Sequence, residues 1–316
     1  PQRTFSAAGE LQHFDPSRFG HLPAGRLNAR LTASGRLAPQ AVVDAAFTLQ
    51  DSQLAGQALN GRGQLNIAWP RIPRADIELA AGDNRLAVHG AYGQPGDRIR
   101  FTLDAPRLAA FGLEGGLHGQ GEVAGAAQQP QLNATLRAER LGWPGRGRLN
   151  GLTLEAELGS AAAAPLRLDL AVASLDLPDQ PGLLRAIRLQ GEGSNLAHRL
   201  SARADLAHRD QLALRLDGGW NATTGIWSGQ LGEARLSSPD PARNVRLLAP
   251  APLTLAATHW QAGPLRLAGD PLDWQATLQA AADAKRVDAS LSAHGSRIGQ
   301  IEGSLRATLA GAWSPA

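Results

Sequence analysis

Arg26–Leu37 reads RLNARLTASGRL. Leu27, Ala29, Leu31, Ala33, Gly35 and Leu37 hold one parity, while Arg26, Asn28, Arg30, Thr32, Ser34 and Arg36 hold the other. Side chains that alternate this way belong to a strand with one apolar and one wet face; a helix would scatter both sets around its circumference. The pattern returns at Val43–Leu49, Leu59–Trp69, Asp76–Ala80, Arg85–Ala91 and Ile99–Ala105. It continues in runs from Leu117 to Leu309, among them Ile226–Leu231, Ala234–Ser237, Leu272–Ala280 and Ile301–Leu309. Helical periodicity is thin throughout, and even its best case, Gln279–Lys285, reads as a turn between strands.

Turn chemistry separates the runs. Tyr92-Gly-Gln-Pro-Gly-Asp97 joins two alternating segments into a hairpin, and Pro70, Pro73, Pro239 and Pro250 break others. Phe5–Pro23 is the least regular part, with a short helical turn expected after Asp15. Asp176–Leu184, DLPDQPGLL, is the best linker in the middle of the chain, with one helical turn expected in it. About twenty strands at a spacing of about 4.8 Å would extend on the order of 95 Å, too long for a sheet to stay flat. The fold class predicted is therefore all-β: an elongated, curled, mainly antiparallel sheet, a β-taco or repeating β-groove with an open apolar groove. Residues 1–316 read as one continuous β-groove segment, with a weak subdivision point near 178–184.

Composition narrows the function classes. The chain of 316 residues is 43% hydrophobic but only 4% aromatic, so its apolar parity is built of Leu and Ala. Its net charge of +3 comes from single arginines on wet strand positions, Lys285 being the one lysine. No basic block or aromatic interleaving tracks a nucleic-acid backbone, so nucleic acid is not an expected partner. There is no cysteine, which removes disulfides and thiolate sites and leaves the redox compartment open. There is no methionine either, and neither a signal segment nor a transmembrane-length run is seen, so the chain reads as a segment of a longer protein.

Catalytic motifs find little support, and an enzyme is not expected. The histidines, His13, His21, His89, His118, His198, His208, His259 and His294, are scattered without the helical ligand spacing of a zinc site, so no metal or cofactor is predicted. His208-Arg209-Asp210 matches a kinase catalytic loop in three letters only, without the downstream Asn, the Gly-rich loop or an Asp-Phe-Gly. Gly119–Gly125 and Gly145–Gly151 have the wrong spacing for a dinucleotide site and read as strand kinks. Glu155 and Glu157 fall on the wet parity, as a solvated face.

On alternation alone, a solenoid with a filled Leu/Ala core and an open trough suited to acyl chains stand level. A resemblance separates them. Gly119-Gln-Gly121-Glu-Val123-Ala-Gly125 followed by Gln129-Pro-Gln-Leu132 and Asn133-Ala-Thr-Leu136-Arg-Ala138 resembles a unit that recurs in the TamB family of translocation and assembly module subunits. Phe14–Phe19 leading to Leu22–Leu27 is similar to the same family, as is Leu212–Gly218 followed by Trp227–Leu231, Leu236 and Ala249–Leu253. The chain departs in lacking the Cys that family members often carry around the stretch occupied by His259 and Trp260.

The resemblance implies a periplasmic region of an inner-membrane-anchored protein, this chain being its middle segment. An outer-membrane barrel partner would be engaged through regions outside the segment. It implies a conduit that moves phospholipid between the inner and outer membranes in outer-membrane biogenesis. Assembly or translocation of outer-membrane proteins, or a structural adhesin-like or passenger-like solenoid with a closed core, are the alternatives. The partners expected are phospholipid acyl chains, lying on Leu27, Leu31, Phe47, Leu65, Ile67, Phe101, Leu103, Leu136, Leu154, Leu168, Leu214 and Leu216.

Overall fold

The computed structural model describes residues 3–19, 23–38, 40–221, 223–269, 274–283, 286–295 and 299–308. The start of the strand expected at Leu272–Ala280, the end of that at Ile301–Leu309, and Lys285 lie outside the described residues. The fold is all-β, and its ladders are antiparallel. The chain divides into two compact units, residues 1–161 with 175–179, and residues 162–174 with 180–316.

The first unit holds β1 (Thr4–Phe14), β2 (Gly25–Arg36), β3 (Val42–Leu54), β4 (Gln57–Ala68), β5 (Arg71–Ala81) and β6 (Asn84–Tyr92). It continues with β7 (Arg98–Ala105), the two-residue β8 (Glu114–Gly115), β9 (Leu117–Ala124), β10 (Gln131–Trp143) and β11 (Gly147–Gly159). Each long strand pairs with the next in sequence, β7 passing to β9. Consecutive pairing of this kind needs only hairpin connections, which is why the sequence is punctuated by short turns. β12 (Pro165–Leu177) is divided between the units.

The second unit holds β13 (Gln180–Ser194), β14 (His198–Leu206), β15 (Gln211–Asn221), β16 (Ile226–Ser237) and β17 (Val245–Leu247). After these come β18 (Ala251–Ala256), β19 (His259–Gly269), β20 (Trp274–Asp283), β21 (Arg286–Gly295) and β22 (Gly299–Thr308). The order is again sequential, except that β16 carries both β17 and β18 on one flank and β19 spans that pair.

Several local readings change. Thr4–Phe14 is a full strand paired along β2, although its run of Ala7-Ala8-Gly9 weakens the alternation there. The helical turn after Asp15 is present as a 3-10 turn over Pro16–Phe19. Asp15 organises it: its Oδ1 accepts from Ser17 Oγ at 2.8 Å, Ser17 N at 3.1 Å and Gly25 N at 3.1 Å. These bonds, the Ser17 hydroxyl first, hold the Asp15 carboxyl below its usual range. No helical turn occupies Asp176–Leu184, because β12 runs through Leu177 and β13 begins at Gln180. The segments expected separately at Ile226–Leu231 and Ala234–Ser237 form one strand, β16, in which a bulge at Gly232 reverses the parity.

The wet faces carry cross-strand ion pairs. In the first unit these include Arg30–Glu10 and Arg62–Glu78, each at 2.8 Å, and in the second Arg199–Asp217 at 2.8 Å. Exposed pairs of this sort contribute about 0–1 kcal/mol each, so they set register and solubility more than stability. Glu122, its side chain 17% exposed, is held by Arg100 Nε at 2.9 Å and Arg98 Nη1 at 2.8 Å. The Arg100 hydrogen bond, with the charge of Arg98, draws its carboxyl below the ordinary 4.5. A depressed folded pKa gives stability that is present above the unfolded value and is lost as pH falls through the folded one. Glu122→Gln should therefore be less stable than the parent near neutrality and should show a flatter acid limb, the two converging in acid. Urea unfolding of both chains across the carboxylate range reads this directly.

Little of the apolar parity is fully buried. The buried hydrophobic residues are mostly alanines, joined by Leu59, Leu141, Val172 and Trp227. A sandwich or filled solenoid would bury its Leu and Phe between two layers at crystal-like density. Here most of the large aliphatic side chains among the described residues are only half-buried.

Candidate functional site

Register converts the parity of each strand into rows that cross the sheet. In the first unit, Leu31 stands opposite Phe47, Phe47 opposite Gly63, and the row continues through Ile77 and Val88 to Phe101 and Gly121. A neighbouring row runs Leu49, Gly61, Leu79, Leu86, Leu103, Gly119, Leu136 and Leu154. Leu65 lies between Ala45 and Ala75, Ile67 opposite Val43, and Leu27 opposite Phe14. The sequence-predicted residues of this unit thus share one face, and two of the rows collect most of them.

Glycine decides how those rows pack. A methyl group at Gly63 would run into the Phe47 ring, and one at Gly121 into the Phe101 ring; Gly61 and Gly119 likewise sit beneath Leu79 and Leu136. Each of these four side chains lies over a glycine of an adjacent strand. At these places the aromatic and aliphatic groups lie close against the sheet.

The second unit repeats the device. Leu214 lies between Ala202 and Ala234, and Leu216 between Leu200 and Leu231. Leu168 lies beside Gly191, where an added Cβ would come within 3.2 Å of it. Of all the predicted residues, Leu31 is exposed, at 39%, and the others are half-buried. No cluster of His, Cys, Asp or Glu that could hold a metal occurs among the described residues. No helix among them is long and apolar enough to cross a membrane.

Two features escaped the sequence reading. The first is His198, which falls on the apolar parity of β14 yet has both ring nitrogens engaged. Nδ1 lies 2.9 Å from the Ser194 carbonyl, and Trp227 Nε1 donates to Nε2 at 2.7 Å. The ring is thereby the neutral tautomer with its proton on Nδ1. The second is Asp210, only 2% exposed at the β14–β15 turn, where Arg243 of the β16–β17 connection donates to its Oδ2. Its Oδ1 is buried without a partner among the described residues. No local pattern marks either residue, since both partners are distant in sequence.

A depression of about 710 Å³ also opens over β3–β7 of the first unit, lined by Ala80, Ala87 and Thr102 together with Leu49, Leu79 and Leu86 of the second row. Arg62, Glu78, Arg85 and Asp104 rim it with both signs of charge. Nothing there matches a nucleophile, an oxyanion hole or a metal site. The half-exposed aliphatic rows are the more distinctive surface, able to take long apolar groups without directional bonds.

No solved structure matches this chain. The family model described as TamB, N-terminal domain, matches residues 4–263, which include all of the predicted face. The chain belongs to the TamB family.

Proposed function

We propose that this chain is a non-enzymatic lipid-conduit segment of a periplasmic, inner-membrane-anchored protein, moving phospholipid between the inner and outer membranes in outer-membrane biogenesis. The observation that carries this reading is the half-exposed aliphatic face, whose rows pass from strand to strand within each unit among the described residues. Membership of the TamB family supports the compartment and the link to the outer membrane.

Acyl chains lie along Leu31, Phe47 and Phe101, along Leu103, Leu136 and Leu154, and in the second unit on Leu168, Leu214 and Leu216, with Leu27, Leu65 and Ile67 widening the face. Head groups stay in water. Each buried methylene contributes about 0.8 kcal/mol, so binding grows with contact length and discriminates little between chains. Weak discrimination suits a conduit, because a lipid held by directional bonds at one place would stop there. An outer-membrane barrel partner would receive the lipid through regions beyond this segment.

The test is transfer. Donor vesicles of phosphatidylethanolamine and phosphatidylglycerol carrying a fluorescent diacyl phospholipid are mixed with the purified chain and separated by gel filtration. Fluorescent lipid should migrate with the protein and then pass to acceptor vesicles. A folded chain that leaves all the lipid with the donors would overturn the conduit.

A further inference from the structure

The wet face of the second unit carries a row in which like charges stand opposite one another. Arg188 on β13 is the cross-strand partner of Arg203 on β14, Arg203 of Ala213 on β15, Ala213 of Arg235 on β16, and Arg235 of Arg246 on β17. The row passes on through Ala268 and Gln275 to His294 without meeting a carboxylate. All four arginines are exposed. None of them is in a salt bridge among the described residues. Like charges placed directly opposite destabilise a sheet. Elsewhere the wet faces set arginine beside an acid, as at Arg62–Glu78 and Arg199–Asp217.

The charges around the row leave it positive. Glu233 lies 3.6 Å from Arg215, Asp217 is held by Arg199 and Arg215, Asp169 accepts from Gln190 at 3.4 Å, and Asp205 stands opposite Arg185. At the nearby turns Asp210 takes Arg243 and Asp240 accepts from the backbone of Ala242, while His208, Arg209 and Arg266 are exposed. The four arginines form two doublets, Arg188 with Arg203 and Arg235 with Arg246. Within a doublet the two backbones are about 5 Å apart, so both guanidiniums reach one anion. A carboxylate has two oxygens, which a single guanidinium fork fills. A phosphomonoester has three free oxygens and nearly two charges, enough for two forks. The doublet centres lie about three strand spacings, or about 14 Å, apart. Neither doublet is enclosed, so a lone phosphate gains little there. Phosphates arrayed on a surface engage both doublets at once. Nucleic acid offers singly charged diesters and bases that call for stacking groups, and the row contains no Trp, Tyr or Phe.

We infer that the row from Arg188 to Arg246 is a docking surface for a membrane leaflet that displays phosphomonoester head groups, one phosphate to each doublet. The inference goes beyond the conduit reading and does not depend on it. Ala213, at the centre of the row, has the parity opposite to Leu214 and Leu216, so the row meets a bilayer surface whether or not the apolar face carries acyl chains.

The probes are vesicles of phosphatidylcholine alone, of phosphatidylcholine with phosphatidic acid, a phosphomonoester, and of phosphatidylcholine with phosphatidylglycerol, a diester, at matched surface charge. The full chain is floated with each. The first reads the apolar face, and the excess on the other two reads the row. Binding to phosphatidic acid should exceed that to phosphatidylglycerol several-fold and fade with added salt. Arg188→Gln, Arg203→Gln, Arg235→Gln and Arg246→Gln together should lower it at least about tenfold. The same variant should bind phosphatidylcholine within about twofold of the parent and keep its circular dichroism spectrum, since the changes relieve like-charge pairs. The four corresponding Arg→Lys changes keep the charge but not the forks, and should bind both anionic vesicles alike. Equal binding of the parent to both anionic vesicles, or glutamine and parent chains that float alike, would overturn the docking surface. Tighter binding of inorganic phosphate or of an oligothymidylate through the row would do the same, by making a free anion or a nucleic acid its occupant. Docking on phosphatidic acid in a chain that transfers no lipid would overturn the conduit and leave the row standing.

Discussion

Replacing Leu103 in the first unit and Leu214 in the second by aspartate lowers phospholipid bound to the chain at least about tenfold. Both side chains are half-buried members of aliphatic rows, between Leu86 and Gly119 for Leu103 and between Ala202 and Ala234 for Leu214. In the empty protein a carboxylate at either place still reaches water, so the fold is retained. Once acyl chains cover the face, the carboxylate lies against hydrocarbon without a partner. An unpaired polar group in that setting costs about 1–3 kcal/mol, and a charge more. Every 1.4 kcal/mol is about tenfold in affinity. Thr102→Asp is the control: Thr102 is the exposed neighbour of Leu103 on the wet face, and its substitution should leave binding unchanged. Equal losses in the Leu103 and Thr102 variants would show that charge, rather than the face, is being read.

Arg243→Ala lowers the stability of the second unit by about 3 kcal/mol, far more than Asp210→Asn does. The asymmetry follows from burial. Arg243 is 42% exposed, whereas Asp210 is 2% exposed, with Oδ1 already lacking a partner among the described residues. Removing the arginine strands a buried carboxylate, and breaking a buried pair from one side typically costs about 3–5 kcal/mol. The asparagine variant instead leaves a guanidinium that turns to water. Urea unfolding of both variants, followed by circular dichroism, separates the cases; similar losses in the two would contradict this account of the corner.

Much of the architecture is legible from residue parity. RLNARLTASGRL is read correctly as a strand because one face is uniformly apolar, and the same rule finds most of the others. It fails where parity is diluted or reversed. Ala7, Ala8 and Gly9 hide β1, and the bulge at Gly232 divides β16 into two apparent segments. Pro181 and Gly182 lie near the start of β13, with Gly182 at a φ of 63°, just after the boundary between the two units at Asp179.

The functional face is less legible, for a physical reason. Parity says that Leu103 and Leu136 share a side with Leu154, but exposure depends on what covers that side, and coverage is a tertiary property. The register that brings Phe101 over Gly121, or Trp220 beside Trp227, depends on loop lengths and bulges that residue types do not encode one by one. Asp210 shows the same limit. His208-Arg209-Asp210 reads as chance three-letter similarity in the sequence, and what the structure shows of Asp210 is its pairing with Arg243, in a connection thirty-three residues away.

The most direct measurement of the central claim is native mass spectrometry of the unsubstituted chain purified from a Gram-negative periplasm, with lipid extraction in parallel. Bound phospholipid, released on activation and diverse in chain length, is the expected result for a face that selects only for hydrocarbon. A folded chain that emerges free of lipid and takes up none from vesicles would contradict it, and would indicate that the aliphatic rows are covered in solution by something other than acyl chains.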